Sequence, residues 1–296
     1  MQHHQIAQPV VIALSDKHGS KMVFAERSSK DEPRCSKRTL KLMYICMSLL
    51  CIMMVLWILV FPATWKLGHF KTHDKMIQTN YVERYERGGR GGVVPPEIVT
   101  KYRGHSAVQF SHNLPSAFWA IAMPFQLHPG IRSKYRRVHR IVGYVTVFVS
   151  CLMMFGVFLI IKRKLTFEHS FPDLPLPNKF LIGDNKWINY DSDIGMIGIS
   201  IWFLYTLFTA VQAARKGNIR KHERFMIRHV GSGIWVALQR LLLELVVSPF
   251  VPITRQQQRQ VFGTAVQVAF LITVTLAEVA IMLLPEKRLS KEIKTK

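Results

Sequence analysis

The residues of this chain with the clearest capacity for chemistry are histidines, arginines and glutamates set inside apolar sequence. His222, His229, Arg240 and Glu244 recur at intervals that place them in one narrow sector of a helix turning about 100° per residue. Gln267 and Glu278 share a face of a later apolar stretch. On an earlier one, His139, Gly143, Thr146 and Ser150 form a stripe whose small members suit close helix contact. A neutral imidazole can ligate haem iron or move a proton near neutral pH. Arg240 and Glu244 stand one helical turn apart and can pair, and the plainest reading of them is a structural ion pair. An unpaired charge at the bilayer centre would cost about 2.5 to 3.5 kcal/mol.

Depth separates these groups into two layers. At about 1.5 Å per residue, His112, Glu244 and Gln267 fall roughly 8 to 9 Å below one boundary of their helices and form a candidate outer cluster. His139, His222, His229 and Glu278 fall near the opposite boundary and form a candidate inner cluster. A bis-histidine haem b held by His139 with His222 or His229 is one reading of that layer. His222 and His229 lie about 10.5 Å apart along one helix, so separate helices must supply the ligands. The competing reading of His139 and His222, at helix entrances, is hydrogen bonding to lipid headgroups or loop carbonyls. HExxH, paired cysteines at metal-ligand spacing and glycine-rich phosphate loops are all missing, so zinc-protease, hydrolase and nucleotide-driven readings have no support and no bare metal site is expected.

The elements that must position these residues follow from composition. Hydrophobic residues make up 49% of 296, yet Lys and Arg number 40 against 18 Asp and Glu, a net charge of +22. Apolar and basic residues are therefore segregated along the chain, the pattern of a membrane protein with basic loops. Nucleic acid, the usual partner of so basic a protein, would not require long uncharged stretches, so the partner expected is the lipid bilayer and nucleic acid is not. Cys46, Cys51 and Cys151 lie in apolar runs and Cys35 in a basic tail, which is no disulfide framework. The first apolar run starts after Lys41 and is too long for a signal-peptide core, so it reads as a retained anchor.

Residues 1–41 read as a flexible basic tail, 42–65 as a transmembrane anchor helix, 66–104 as a Gly- and Pro-containing linker, 105–284 as a helical membrane domain and 285–296 as a second basic tail. The domain divides into helices over about Ala107 to Gln126, His139 to Ile161, Ile194 to Ala214, Ile227 to Phe250 and Val261 to Leu284, with a kink expected near Pro115. The fold class is thus all-α, an integral membrane helical bundle of about six transmembrane helices. Alternate segments, Arg34 to Lys41, Arg132 to Arg140, Arg215 to Arg228 and Lys287 to Lys296, are short and basic, which by the positive-inside rule puts both termini on the cytoplasm-like side. Which cellular membrane holds the chain does not follow from sequence.

The order of His112, His139-Arg140, the run His222-Glu223-Arg224-Phe225-Met226-Ile227-Arg228, Arg240-Leu241 and Ala277-Glu278 resembles the domain of unknown function 2306 family of multi-pass membrane proteins. The resemblance covers about residues 105–284 and leaves the tail and first helix outside it. Phe225 departs from the family's Trp, and the loop before the fourth helix is long. The resemblance implies that His112, His139, His222, Arg228, Arg240 and Glu278 are the positions of interest, and it implies no reaction. Three function classes remain open: a haem-binding redox protein similar in outline to membrane cytochromes b, a proton or small-solute transport protein, and a non-enzymatic membrane scaffold or assembly factor.

Overall fold

The structure is a computed structural model and describes residues 34–60, 83, 97–98, 101–102, 104–171, 192–247 and 255–284. Leu40–Leu284 form one compact unit. Every regular element among the described residues is helical.

Helix α1, Arg34–Val60, begins inside the expected tail rather than at Leu42, because Lys and Arg between 34 and 41 propagate a helix as readily as the apolar residues behind them. Residues 61–65 of the expected anchor lie outside the described residues. Cys51, Met54 and Ile58 repeat at helical spacing and are buried in the bundle core, while Leu42, Leu49, Ile52, Leu56 and Leu59 are exposed. An apolar residue on every face is costly in water and neutral in lipid.

Helix α2 is a composite of Ser106–Val108, a π-turn Gln109–Asn113 and Leu114–Leu127. The π-turn takes the place of the expected kink at Pro115: proline has no N–H, and its ring displaces the carbonyl one turn back. The wider turn just ahead, closed by Leu114 N–H on Gln109 O, absorbs both effects. Helix α3, Pro129–Lys134, is capped by His128, whose Nδ1 accepts from Ile131 N–H at 3.3 Å. Helix α4 is Arg136–Lys162 and α5 is Ser192–Arg215.

Helix α6, Ile219–Leu242, continues into a π-turn Leu243–Val247, and α7 is Arg255–Met282. Both helices start earlier than the apolar runs indicate. Gly217, at φ +71, ends α5 in a left-handed turn, and Asn218 at once caps α6 by accepting from Lys221 N–H at 2.9 Å. The basic stretch 220–228 is therefore the first turns of α6 and not a loop.

Among the described residues, four helices are long and apolar enough to cross a membrane: Lys37–Leu59, Arg136–Lys162, Asp193–Arg215 and Gln256–Met282. The protein is accordingly an integral membrane protein in its construction, with apolar helices suited to a bilayer. Helix α2 is interrupted by its π-turn and α6 opens on charged turns, so neither has an unbroken apolar length.

Helix α6 packs against α5 and α7, α2 against α4, and α4 reaches α5. Glycine permits close approach at three places among the described residues, one of them Gly231 of α6, where a Cβ would lie 2.8 Å from Ala277 Cβ of α7. A Cβ on Gly156 of α4 would lie 2.5 Å from His112 Cβ of α2, and one on Gly233 of α6 would lie 2.6 Å from the Trp119 ring. The core formed there joins Trp119 and Met123 of α2, Val149 and Met153 of α4, Phe203 of α5 and Val230 of α6.

Candidate functional site

At the centre of the bundle His229 is completely buried. Its Nε2 accepts from Trp119 Nε1–H at 3.1 Å, and its Nδ1 lies 3.2 Å from the Phe203 carbonyl, to which it must donate. The pattern fixes one neutral tautomer with the proton on Nδ1, and Phe203 lies against the ring at 4.1 Å between centroids. Both ring nitrogens are thus engaged by the protein's own groups. His229 ties α2, α5 and α6 together in this state and presents no lone pair to a ligand.

The inner end has a different character. His222 Nδ1 lies 3.0 Å from the Ala210 carbonyl, to which it donates, so that in the neutral ring the lone pair is on Nε2. His139 of α4 lies within electrostatic reach of His222 and Arg132, and its buried Nδ1 has no hydrogen-bond partner among the described residues. Around the two histidines the helices are clamped by polar contacts. Arg132 of α3 pairs with Glu223 of α6 at 2.7 Å, and Gln126 of α2 donates to the His139 carbonyl at 2.9 Å. Arg228 of α6 meets Glu278 of α7 in a two-pronged pair, Nε to Oε1 at 2.6 Å and an Nη to Oε2 at 2.7 Å. The structure therefore brings His139 and His222 into one neighbourhood, gives Arg228 and Glu278 to each other, and sets His229 apart from both.

The outer end departs from the expected cluster. His112 lies with its Nδ1 3.2 Å from the Met153 carbonyl, and the charged group nearest in its electrostatics is Lys101. Glu244 and Gln267 are exposed instead of turned inward with it. For Glu244 the cause is the π-turn from Leu243, whose wider winding breaks the 100° register on which its alignment with Arg240 depended. Gln267 lies on the face of α7 opposite Ala265 and Ala269, which are buried. The Arg240 guanidinium is sandwiched between aromatic faces, 5.3 Å from the Trp57 ring and 5.3 Å from the Phe262 ring, and donates to Gln239 Oε1 at 3.1 Å. Lys101, in the segment ahead of α2, has its ammonium pushed down to about 7 by burial and by the Arg240 charge.

Three participants escaped the sequence reading. Trp119 is one aromatic in an apolar run, Glu223 and Arg132 are charges in basic stretches, and nothing local marks their partners. The Trp119–His229 contact joins positions 110 residues apart. Among the described residues no three His, Cys, Asp or Glu side chains converge as a metal-ion site.

Comparison with known proteins yields no match to a family model, a curated protein or a solved structure.

Proposed function

We propose that this integral membrane protein crosses the bilayer six times, with both termini on the basic side, and is a redox protein that holds haem b between His139 of α4 and His222 of α6. The likeness of its motif order to the domain of unknown function 2306 proteins belongs to the same proposal. In this reading α2 and α6 supply the fifth and sixth crossings, since the charges of α6 cluster in its first turns and α2 packs along α4.

One observation carries the haem reading. His222 is oriented by donating Nδ1–H to the Ala210 carbonyl, which leaves Nε2 as the ligand atom, the usual arrangement of a metal-bound imidazole. His139, from another helix, is its half-buried neighbour, whose Nδ1 is buried and has no hydrogen-bond partner among the described residues. Beside His139, a Cβ built on Gly143 would meet only Gln126 Oε1, at 3.9 Å, so little fills that side. Haem bound there would supply one-electron chemistry. The chain's own part is to fix the His222 ring, to hold α4 and α6 at a set separation through Gln126, Arg132 and Glu223, and to keep His229 as a structural contact.

A second reading draws on Thr146 and Ser150, whose hydroxyls are buried on α4 without partners among the described residues and continue inward from His139. Such a line suits a proton or small-solute path. The absorption spectrum separates the two. Protein expressed with haem supplied is expected to show a reduced-minus-oxidised haem band that is lost in His139→Ala and His222→Ala and retained in a folded His229→Gln. A folded wild-type protein that stays colourless after reconstitution with haem removes the redox reading. Topology is checked separately: reporters on the C-terminal tail and near Pro175 are expected on opposite sides, and reporters on one side would refute six crossings.

A further inference from the structure

Where α6 begins, a cavity of about 350 Å³ opens between its first turns and the end of α7. Its wall carries Lys221, Arg224 and Arg228, with the amide of Asn218 at one end and the apolar Phe225 and Ile281 at the other. So many cations around one cavity repel each other unless something negative is drawn in. Among the described residues, the carboxylates Glu223 and Glu278 are already committed. Glu223 is held by Arg132 at 2.7 Å, and Glu278 is held by Arg228 at 2.6 Å. Arg224 lines the cavity, and its Nε is buried with no hydrogen-bond partner among the described residues. Lys221 lies over the Phe225 ring at 5.8 Å, and so does Arg228 at 5.0 Å, which ties both cations to the same aromatic side chain of the cavity wall.

We propose that this cavity is a binding site for a phosphate group, carried by the headgroup of an anionic phospholipid. A guanidinium matches phosphate oxygens with paired N–H donors, and the ammonium of Lys221 adds a point charge beside it. The first turn of α6 adds the positive end of a 24-residue helix. Position favours a lipid source. The cavity sits where the apolar length of α7 ends and the basic turns of α6 begin, which is headgroup level, and basic pockets between helices at that level recognise anionic lipids. Ile281 and the exposed Met282 continue from the cavity along α7 as an apolar surface on which acyl chains can lie. This inference is independent of the haem reading, because it uses neither His139 nor His222.

The test uses the full chain in detergent and in phosphatidylcholine nanodiscs, with short-chain phosphatidic acid and inorganic phosphate as separate probes. Phosphatidic acid is expected to raise the melting temperature of the wild-type protein in a saturable manner. Lys221→Gln with Arg224→Gln is expected to weaken its binding about tenfold or more, while Arg215→Gln with Lys216→Gln, which removes equal charge outside the cavity, leaves binding unchanged. If the first pair does not yield monodisperse protein, Arg224→Lys keeps the charge, loses the planar fork and is expected to weaken binding severalfold. Inorganic phosphate binding as tightly as phosphatidic acid would keep the phosphate site and reassign its ligand to the free ion. Equal weakening by both charge pairs, or no saturable effect on the wild-type protein, would overturn the proposal.

Discussion

Trp119 of α2 donates its indole N–H to Nε2 of His229 on α6 at 3.1 Å, in a place where neither side chain meets solvent. The bond satisfies two buried polar atoms at once, and Nδ1 of the same imidazole reaches the Phe203 carbonyl of α5. Three helices are therefore registered by one ring. Trp119→Phe keeps most of the aromatic volume and leaves Nε2 unsatisfied, which is expected to destabilise the solubilised protein by about 1 to 3 kcal/mol. His229→Phe is expected to cost a similar amount, and the double variant less than the two costs added. Thermal unfolding in detergent measures all three; strict additivity would show that the pair is not coupled.

Arg228 and Glu278 form the bond between α6 and α7, with the two side chains 24% and 37% exposed. Partial exposure lowers the desolvation cost of the pair, so its paired hydrogen bonds count for more than those of a fully buried pair would. Arg228→Met and Glu278→Gln are each expected to lower stability by about 1 to 2 kcal/mol, with most of the loss recovered in the double variant. Cysteines introduced in place of Arg228 and Glu278 and joined by a short bifunctional thiol reagent check the geometry independently, and the absence of a crosslink in that folded variant would disprove the contact.

Lys101 gives the protein a pH dependence. Burial, and secondarily the Arg240 guanidinium, lower its pKa from 10.5 to about 7. Tyr102 beside it is pushed upward by burial and stays neutral. Between about pH 7 and pH 10 the unfolded chain holds the Lys101 proton and the folded chain does not, so stability must rise with pH across that window. The apparent melting temperature is expected to increase from pH 7 to pH 9, and Lys101→Met is expected to flatten that increase. Identical slopes in wild type and variant would show that Lys101 is not the group responsible.

The membrane character and the helical class were legible in the sequence, because they depend on local quantities. A run of twenty uncharged apolar residues is committed to lipid or to a core whatever surrounds it. Helix starts were less legible. Arg34, Ile219 and Arg255 open their helices among charged residues, and a capping Asn218 or a run of Lys and Arg counts for nothing on a hydropathy scale.

The polar residues show where sequence reasoning stops. Helical period gives the angle of His229, Arg240 or Glu278 about its own axis, and it cannot say which helix stands at that angle. His222 and His229 share a sector of α6, yet one keeps a free nitrogen and the other has both closed by Trp119 and Phe203. Glu244 lost its alignment through a π-turn that no residue type announces, and Glu278 gained Arg228 from a helix 50 residues away. Sequence determined which polar groups stand among apolar residues. The partner of each was decided by tertiary structure, because in a low-dielectric interior a polar group is settled by what lies within hydrogen-bond distance across the helix interface.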